Sequence, residues 1–241
     1  MLSTDSSSCA PGRRPPGAHR AVCRVLAAAL GTAALTLGAA PAGAAIPATE
    51  RQALLRLHAR TQGLQWTQQG GWLGPVGSEC DWYGVRCDAA RRHVVGLALA
   101  NNQLRGRLPS LNGLNQLRVL SLGLNYLEGP LPSLRGLSAL RELTAHNNAL
   151  QGPIPALAHL RELERVVLAN NGIDGRLPSL RGLSALREFD VSNNRLRGPV
   201  PPTAGLAQLT RFDVSFNRLQ APRGAAGHAL GPVTVSARTA S

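Results

Sequence analysis

Apolar residues recur along most of this chain at a fixed interval, and an Asn at every twenty-third position marks that interval. In each period the Asn follows apolar residues placed eight, five and three positions earlier, and Leu or Ile comes two positions later. The Asn positions are Asn102, Asn125, Asn148, Asn171, Asn194 and Asn217. Polar and apolar residues alternate just before each Asn, which predicts a short half-buried strand such as 118–122. Repetition of this unit predicts a solenoid whose turns bury a continuous core.

Each repeat except the last continues with a Gly four positions after the Asn and a Pro seven positions after it. The segment LPSLRGLSALRE occurs twice, at 131–142 and 177–188, which indicates duplication. In it, Leu134, Leu137 and Leu140 are spaced by three, which favours a 3₁₀ turn over a full α-helix. The Asn side chains are expected inside the coil, where their amides hydrogen-bond backbone groups of adjacent turns and form an Asn ladder.

The pattern L-x-x-L-x-L-x-x-N-x-L resembles the leucine-rich repeat. The added Gly and Pro, as in DVSNNRLRGPVP at 190–201, resemble the plant-type, extracellular class of these repeats, whose period is more often one residue longer. The resemblance implies an α/β repeat solenoid: a right-handed coil with a parallel β-sheet on the concave face and a 3₁₀ or irregular convex side. Six such repeats would occupy residues 95–220.

Residues 45–94 do not repeat and are predicted to form an N-terminal cap. The stretch ATERQALLRLHARTQG predicts a helix, in which Thr49 and Gln52 fit a capping box. Together with WTQQGGWL and CDWYGVRC, it resembles the N-terminal cap of plant-type leucine-rich repeat proteins, in the form found in secreted microbial and algal proteins. A solenoid must cover its first apolar layer, so the aromatic residues are expected to form the core of this cap, with a ligand-binding aromatic box as the alternative. They are Trp66, Trp72 and Trp82.

The first 44 residues have the pattern of a secretory signal peptide. Four Arg precede the apolar run 25–40, and Ala42-Gly43-Ala44 forms a small-x-small cleavage site. The apolar run is too short and too rich in Ala and Gly for a membrane span. We therefore expect cleavage after Ala44, a mature chain that does not span a membrane, and a secreted location, with the periplasm or cell envelope as the alternative.

Cys80 and Cys87 are the two cysteines that remain after this cleavage. In an oxidising compartment they are predicted to form a disulfide. A zinc site would need His ligands, and His58 and His93 do not have the required spacing. A redox site would more often have the spacing Cys-x-x-Cys. The disulfide would lie between the cap and the first repeat.

The C-terminal tail, residues 221–241, contains no Cys and little apolar mass. Val233 and Val235 alternate with polar residues, which favours weak pairing with the last strand. Disorder is the alternative prediction for this tail.

The sequence contains no catalytic constellation, so we expect neither enzymatic activity nor a cofactor. His146, His159 and His228 are far apart and have no candidate nucleophile at a motif spacing. The sequence also has no phosphate-binding loop and no cluster of metal ligands. The formal charge is +13 and every basic residue is Arg, but no run of five like charges occurs, so nucleic acid is not an expected partner.

Side chains two, four and six positions before each Asn are expected to point outward from the concave sheet. The column six positions before the Asn alternates in charge, which predicts a ladder of salt bridges between neighbouring strands. Its members are Glu142, Arg165, Glu188 and Arg211. The predicted binding residues on or beside this face are Tyr126, Thr144, His146, Asp190, Ser192, Arg195, Asp213, Phe216 and Arg218. The face is expected to be acidic near its C-terminal end and to be flanked by Arg residues such as Arg118, Arg141 and Arg187.

These features favour a secreted, non-enzymatic binding module that recognises a protein or peptide through its concave face. Six strands about 4.8 Å apart span roughly 24 Å, enough for a peptide or a protein loop. One alternative is attachment to an anionic glycan or cell-envelope polymer through the Arg-rich rim. Another is inhibition of a secreted wall-degrading enzyme, by analogy with plant-type repeat proteins of that role.

Overall fold

The computed structural model describes residues 45–220. The predicted signal peptide and the predicted C-terminal tail lie outside these residues. The described chain consists of a non-repeating N-terminal segment, residues 45–94, and the repeats that follow it. Within residues 45–220 no helix has the length and apolar character needed to cross a membrane.

The N-terminal segment contains one α-helix, and it begins earlier than the predicted capping box would allow. The helix spans Ala48–Arg60 and buries Ala53, Leu54 and Leu57. Its first turn is closed by the carbonyl oxygen of Pro47, which accepts the N–H groups of residues 50 and 51 at 2.9 and 3.1 Å. No side chain caps the helix, so the capping box predicted from Thr49 and Gln52 is wrong. Two 3₁₀ helices follow, Gly63–Gln65 and Glu79–Asp81.

The first sheet has seven strands, one from the N-terminal segment and six from the repeats. The strand from the N-terminal segment pairs antiparallel with the first repeat strand, and all other pairs are parallel. Parallel neighbours are offset by one full repeat, so Leu97, Leu120 and Leu143 lie side by side with no exposed surface. The strands are Val85–Cys87, Val94–Ala98, Val119–Ser121, Glu142–Thr144, Arg165–Val167, Glu188–Asp190 and Arg211–Asp213.

A second set of short strands follows the Asn of each repeat. They are Arg105–Arg107, Tyr126–Gly129, Ala149–Gly152, Gly172–Ile173, Arg197–Pro199 and Arg218–Gln220. Here neighbouring strands pair with an offset two positions shorter than the repeat, as in Arg105 with Tyr126 and Arg197 with Arg218. The repeated Gly in or next to these strands adopts a positive φ, for example 89° at Gly106, which Gly accepts without steric cost. The fold class is the one predicted, and the far side carries these additional strands.

The Leu residues spaced by three form pairs of consecutive turns. The N–H of Leu114 donates to the carbonyl of Leu111 at 3.1 Å, and the N–H of Leu117 donates to Leu114 at 3.0 Å. These are the three-residue hydrogen bonds of a 3₁₀ helix, but each turn ends after one bond. The spacing of three therefore corresponds to isolated turns with 3₁₀-type bonding.

The repeated Asn side chains lie between successive turns of the coil. The side-chain oxygen of Asn125 accepts the N–H of Leu104 at 3.0 Å, and its nitrogen donates to the carbonyls of Leu99 and Leu122 at 2.9 and 3.0 Å. The same pattern of bonds recurs at Asn148, Asn171, Asn194 and Asn217. These amides join each turn to the one before it.

The three Trp residues of the N-terminal segment pack against one another. The ring centroids of Trp66 and Trp72 are 4.8 Å apart, and those of Trp72 and Trp82 are 5.0 Å apart. Each indole N–H has a hydrogen-bond acceptor: the carbonyls of Thr61 and Tyr83 and the hydroxyl of Ser78. Buried, mutually packed rings with satisfied N–H groups belong to a core, which disfavours the alternative of an aromatic ligand box.

Two links hold the N-terminal segment in shape and against the first repeat strand. The predicted disulfide between Cys80 and Cys87 is confirmed. The carboxylate of Glu50, which is 2% exposed, accepts the backbone N–H of Val94 at 2.7 Å and contacts Nδ1 of His93 at 2.7 Å. A buried carboxylate with these partners ties the helix to the first repeat strand.

Candidate recognition surface on the first sheet

The outward side chains of the first sheet form the concave face, and several of them are less accessible than the sequence suggested. Thr144 is 8% exposed and Asp190 is 5% exposed. The hydroxyl of Thr144 contacts the hydroxyl of Ser121 at 3.3 Å. Neighbouring strands bring these short side chains so close together that they cover one another.

A cleft of about 450 Å³ lies at the C-terminal end of this face. Its walls are polar except for one aromatic ring. The lining residues are Asn170, Ser192, Asn193, Asp213, Ser215 and Phe216. The structure thus brings together Ser192, Asp213 and Phe216 from the set predicted by sequence. The remaining predicted residues do not line this cleft.

Asp213, which lines the cleft, and Asp190, beside it on the neighbouring strand, each hold a Ser two positions later. Oδ1 of Asp213 accepts the backbone N–H of Ser215 at 3.0 Å and its hydroxyl at 2.6 Å. Asp190 holds Ser192 in the same way, at 3.0 and 2.7 Å. Because a carboxylate can only accept, both hydroxyl groups donate to it and can themselves act only as acceptors. Ser192 is partly exposed, whereas Ser215 is 3% exposed, so Ser192 is the hydroxyl within reach of a ligand.

Arg211 neutralises much of the negative charge that was predicted here. Its guanidinium lies 2.8 Å from Oδ2 of Asp190, 3.7 Å from Asp213 and 3.4 Å from Glu188. Glu188 also pairs with Arg165 at 2.7 Å. Three carboxylates therefore share two guanidinium groups, so the C-terminal end of the face is less acidic than predicted and keeps one unbalanced negative charge.

The predicted salt-bridge ladder is shorter than the sequence indicated. Arg165, Glu188 and Arg211 are joined, but within the described residues Glu142 makes no salt bridge, although it lies beside Arg165 in register. The guanidinium of Arg165 points instead to Glu188 on the opposite neighbouring strand, at 2.7 Å. The four-member ladder is therefore wrong at its first member.

Phe216 has an unusual backbone conformation for an aromatic residue. The residue before each repeated Asn adopts a left-handed conformation, with φ of 53° at Asn193 and 51° at Phe216. Asn tolerates this conformation, whereas bulky residues are rare in it. Phe216 is nevertheless 61% exposed, so burial does not compensate for the strain. Strain at an exposed side chain that also lines the cleft makes Phe216 a candidate functional residue.

Leu124 shows the same departure in an earlier repeat and was not predicted from sequence. Its φ is 58°, and its side chain is 50% exposed. The signal was present in the repeat alignment, because four other repeats have Asn at this position. The four are Asn101, Asn147, Asn170 and Asn193.

The other predicted residues occupy different places. The ring of Tyr126 lies on the second set of strands, with the guanidinium of Arg105 stacked 4.5 Å from its centroid. The His146 ring lies over Gly123, where an added Cβ would be 2.4 Å from the ring. Arg218 is exposed on the second set of strands, and Arg195 is exposed two positions before the strand Arg197–Pro199. These side chains are therefore separate from the cleft lining.

The flanking Arg residues are not all free to bind anions. Arg141 of the predicted rim pairs with Glu162 at 3.0 Å and Glu164 at 3.8 Å. Within residues 45–220, no group of three or more His, Cys, Asp or Glu side chains could hold a metal ion. The arrangement offers hydrogen bonding and one apolar wall.

Comparisons with known proteins agree with this architecture. The Leucine Rich Repeat family matches residues 185–205. The ectodomain of the receptor kinase SOBIR1 from Arabidopsis thaliana superimposes with a TM-score of 0.61 and 26% identity, over 74% of this chain and 98% of that one. The chain folds as a leucine-rich repeat solenoid of the plant type. A second similar structure, the BIR3–SERK2 complex from Arabidopsis thaliana, has a TM-score of 0.56 and 27% identity, with 71% and 94% of the two chains covered.

A curated relative matches a shorter stretch of this plant-type solenoid. The receptor-like protein kinase PXC1 from Arabidopsis thaliana is 38% identical over 74 residues, which is 31% of this chain and 11% of PXC1. The chain therefore spans about a tenth of the length of that relative. The likeness concerns the repeats and does not extend to a kinase domain.

Proposed function

We propose that this protein is a secreted, non-enzymatic binding module that recognises a peptide or protein segment in the cleft at the C-terminal end of its concave face. The observation that carries the proposal is Phe216, an exposed ring held in a left-handed conformation at the edge of a polar cleft. Aromatic anchors beside hydrogen-bonding groups are typical of peptide and protein interfaces.

The chemistry of the cleft suits an uncharged polar partner with one apolar side chain. The hydroxyls of Ser192 and Ser215 are oriented by Asp190 and Asp213, and Arg211 offsets one of these two negative charges. Preorganised donors and acceptors lose little entropy when a ligand binds. The ring of Phe216 would cover an apolar side chain while the hydroxyl of Ser192 accepts a hydrogen bond from a neighbouring backbone N–H.

The comparisons support a protein partner. In the similar BIR3–SERK2 structure, a leucine-rich repeat protein is in complex with a second protein. Residues 45–94 would act as the N-terminal cap of a plant-type repeat protein, and residues 1–44 as its signal peptide. The disulfide between Cys80 and Cys87 fits an oxidising, extracellular compartment.

The test begins with selection of peptides from a displayed library against the purified protein. The affinity of selected peptides is then measured for Phe216→Asn, which removes the ring and keeps a residue that this conformation accepts. Loss of at least about tenfold is expected. The matched control is Leu124→Asn, the same change at the equivalent position of another repeat, which should leave affinity unchanged. Equal affinity of all three proteins would contradict recognition in this cleft.

A further inference from the structure

Three Arg residues lie next to one another on the far side of the coil, two of them on the second set of strands and the third three residues after the strand Gly172–Ile173. Arg197 pairs in register with Arg218, and the N–H of Arg197 donates to the carbonyl of Gly175 at 2.8 Å, which sets Arg197 beside Arg176. All three side chains are exposed. We name Arg176, Arg197 and Arg218 the arginine column.

The arginine column has no internal counterion among the described residues. No carboxylate in residues 45–220 lies within 4.0 Å of its guanidinium groups. Asp174, two positions before Arg176, is also beyond this distance. Arg195 lies two positions before Arg197 and adds a further exposed cation. The first sheet is different, since there Arg165 and Arg211 are paired with carboxylates.

Like charges directly opposite one another on neighbouring strands repel. Strands are about 4.8 Å apart, so the side chains of the arginine column cannot avoid one another through distance alone. The stem of Arg176 also lies against Gly198, where an added Cβ would be 3.3 Å from its Cγ. This contact holds the Arg176 stem next to Arg197. The arrangement favours an external anion that relieves the repulsion.

We propose that the arginine column binds a linear acidic polysaccharide through its carboxylate or sulfate groups. Guanidinium groups bind such oxyanions with two parallel hydrogen bonds. A polysaccharide carries charge at a constant interval, and the column presents charge at the constant interval of the strands. Single-stranded nucleic acid is disfavoured because the column lacks the row of aromatic rings on which bases stack. This site is separate from the cleft, and the proposal does not rest on peptide recognition.

The test measures binding of the purified protein to dextran sulfate and to polygalacturonate at about 0.15 M salt. The column variant carries Arg176→Gln, Arg197→Gln and Arg218→Gln. The matched control carries Arg118→Gln, Arg135→Gln and Arg181→Gln, which removes the same charge from exposed Arg residues that form no salt bridge within residues 45–220. Neutral dextran and oligothymidylate serve as further ligands.

The column variant should lose about tenfold in affinity, because several exposed ion pairs of modest strength add up. The control triple variant should retain wild-type affinity, and the salt dependence should weaken in the column variant alone. Preference for one polymer identifies the anion as sulfate or carboxylate, and either supports the proposal. Equal losses in both variants, no binding to either acidic polymer, or binding to oligothymidylate as tight as to the polysaccharides would overturn it.

Discussion

The side-chain amide of Asn102 makes two hydrogen bonds with the backbone of Gln68. Its oxygen accepts the N–H at 2.6 Å, and its nitrogen donates to the carbonyl at 2.9 Å. The N–H of Gln68 thus bonds to Asn102 in the same way as the N–H of Leu104 bonds to Asn125. The N-terminal segment therefore bonds to the first repeat in the way one repeat bonds to the next.

This bonding predicts a large loss of stability for Asn125→Ala. The change leaves the N–H of Leu104 and the carbonyls of Leu99 and Leu122 without their partner inside the coil. Buried groups without partners are costly, so we expect a loss of roughly 2–4 kcal/mol in the free energy of unfolding, measured by urea denaturation. Asn147→Gly, at an exposed left-handed position, should change it by less than about 0.5 kcal/mol. Similar losses for both variants would contradict the ladder's role.

Leu124→Asn should stabilise the protein. It replaces a bulky residue at φ 58° with the residue that four other repeats use there. Relief of left-handed strain should raise the free energy of unfolding by about 0.5–1 kcal/mol. Thermal melting of Leu124→Asn and Leu124→Val checks this, because the β-branched Val should lower the melting temperature. A lower melting temperature for Leu124→Asn would mean that the leucine makes a stabilising contact.

Removal of the disulfide should weaken the N-terminal segment. The bond closes a loop with a sequence separation of 7 residues. We expect Cys80→Ser with Cys87→Ser to lower the free energy of unfolding by roughly 2–3 kcal/mol, through the larger entropy of the unfolded chain. Reductant should lower the melting temperature of the wild type and leave that of the double variant unchanged. If reductant lowered the melting temperature of both proteins equally, its effect would not act through this disulfide.

His58 should make stability depend on pH. The residue is 4% exposed, and its ring packs against both Trp66 and Trp72, at centroid distances of 5.1 and 5.5 Å. Burial lowers the pKa of His58 below its ordinary value of 6.5. The unfolded chain therefore binds a proton on this residue at a higher pH than the folded chain does. Stability should be constant above about pH 6.5 and should fall as the pH decreases below it.

The comparison that isolates this effect is the melting temperature of wild type and His58→Phe between pH 8 and pH 5. The variant keeps a ring beside the Trp cluster and removes the titrating group. Its melting temperature should decrease less steeply with falling pH than that of the wild type. Parallel curves would show that other groups produce the whole dependence.

The period of the sequence predicted most of the first sheet but little of the second set of strands. Strands of the first sheet pair with the offset of the repeat itself, so Leu97, Leu120 and Leu143 could be aligned by counting. The second set of strands pairs with an offset two positions shorter than the repeat, so equal positions of successive repeats do not lie side by side there. The repeated Leu or Ile marks a buried position in these strands, but the backbone hydrogen bonds that set the offset leave no pattern in the side chains.

Contacts within the N-terminal segment and to the first repeat strand could not be predicted from the sequence either. Glu50 bonds residue 94 across 44 positions, and no motif links the two. Arg51 forms a salt bridge with the buried carboxylate of Glu79, again between residues far apart in sequence. In the cleft, Phe216 could be named because it borders the predicted face. The pairing of Arg211 with Asp190 could not be named, because it depends on side-chain rotamers across two strands.

The shorter offset of the second set of strands also determines which residues become neighbours when a repeat is duplicated. Arg176, Arg197 and Arg218 stand five, three and one positions after their respective Asn residues, so the column crosses the repeats diagonally. Duplicating one repeat would extend every row of the first sheet by one matching residue. The same duplication would bring non-equivalent residues into the arginine column. Growth by whole repeats would therefore keep the residue columns of the first sheet and change those of the second set of strands.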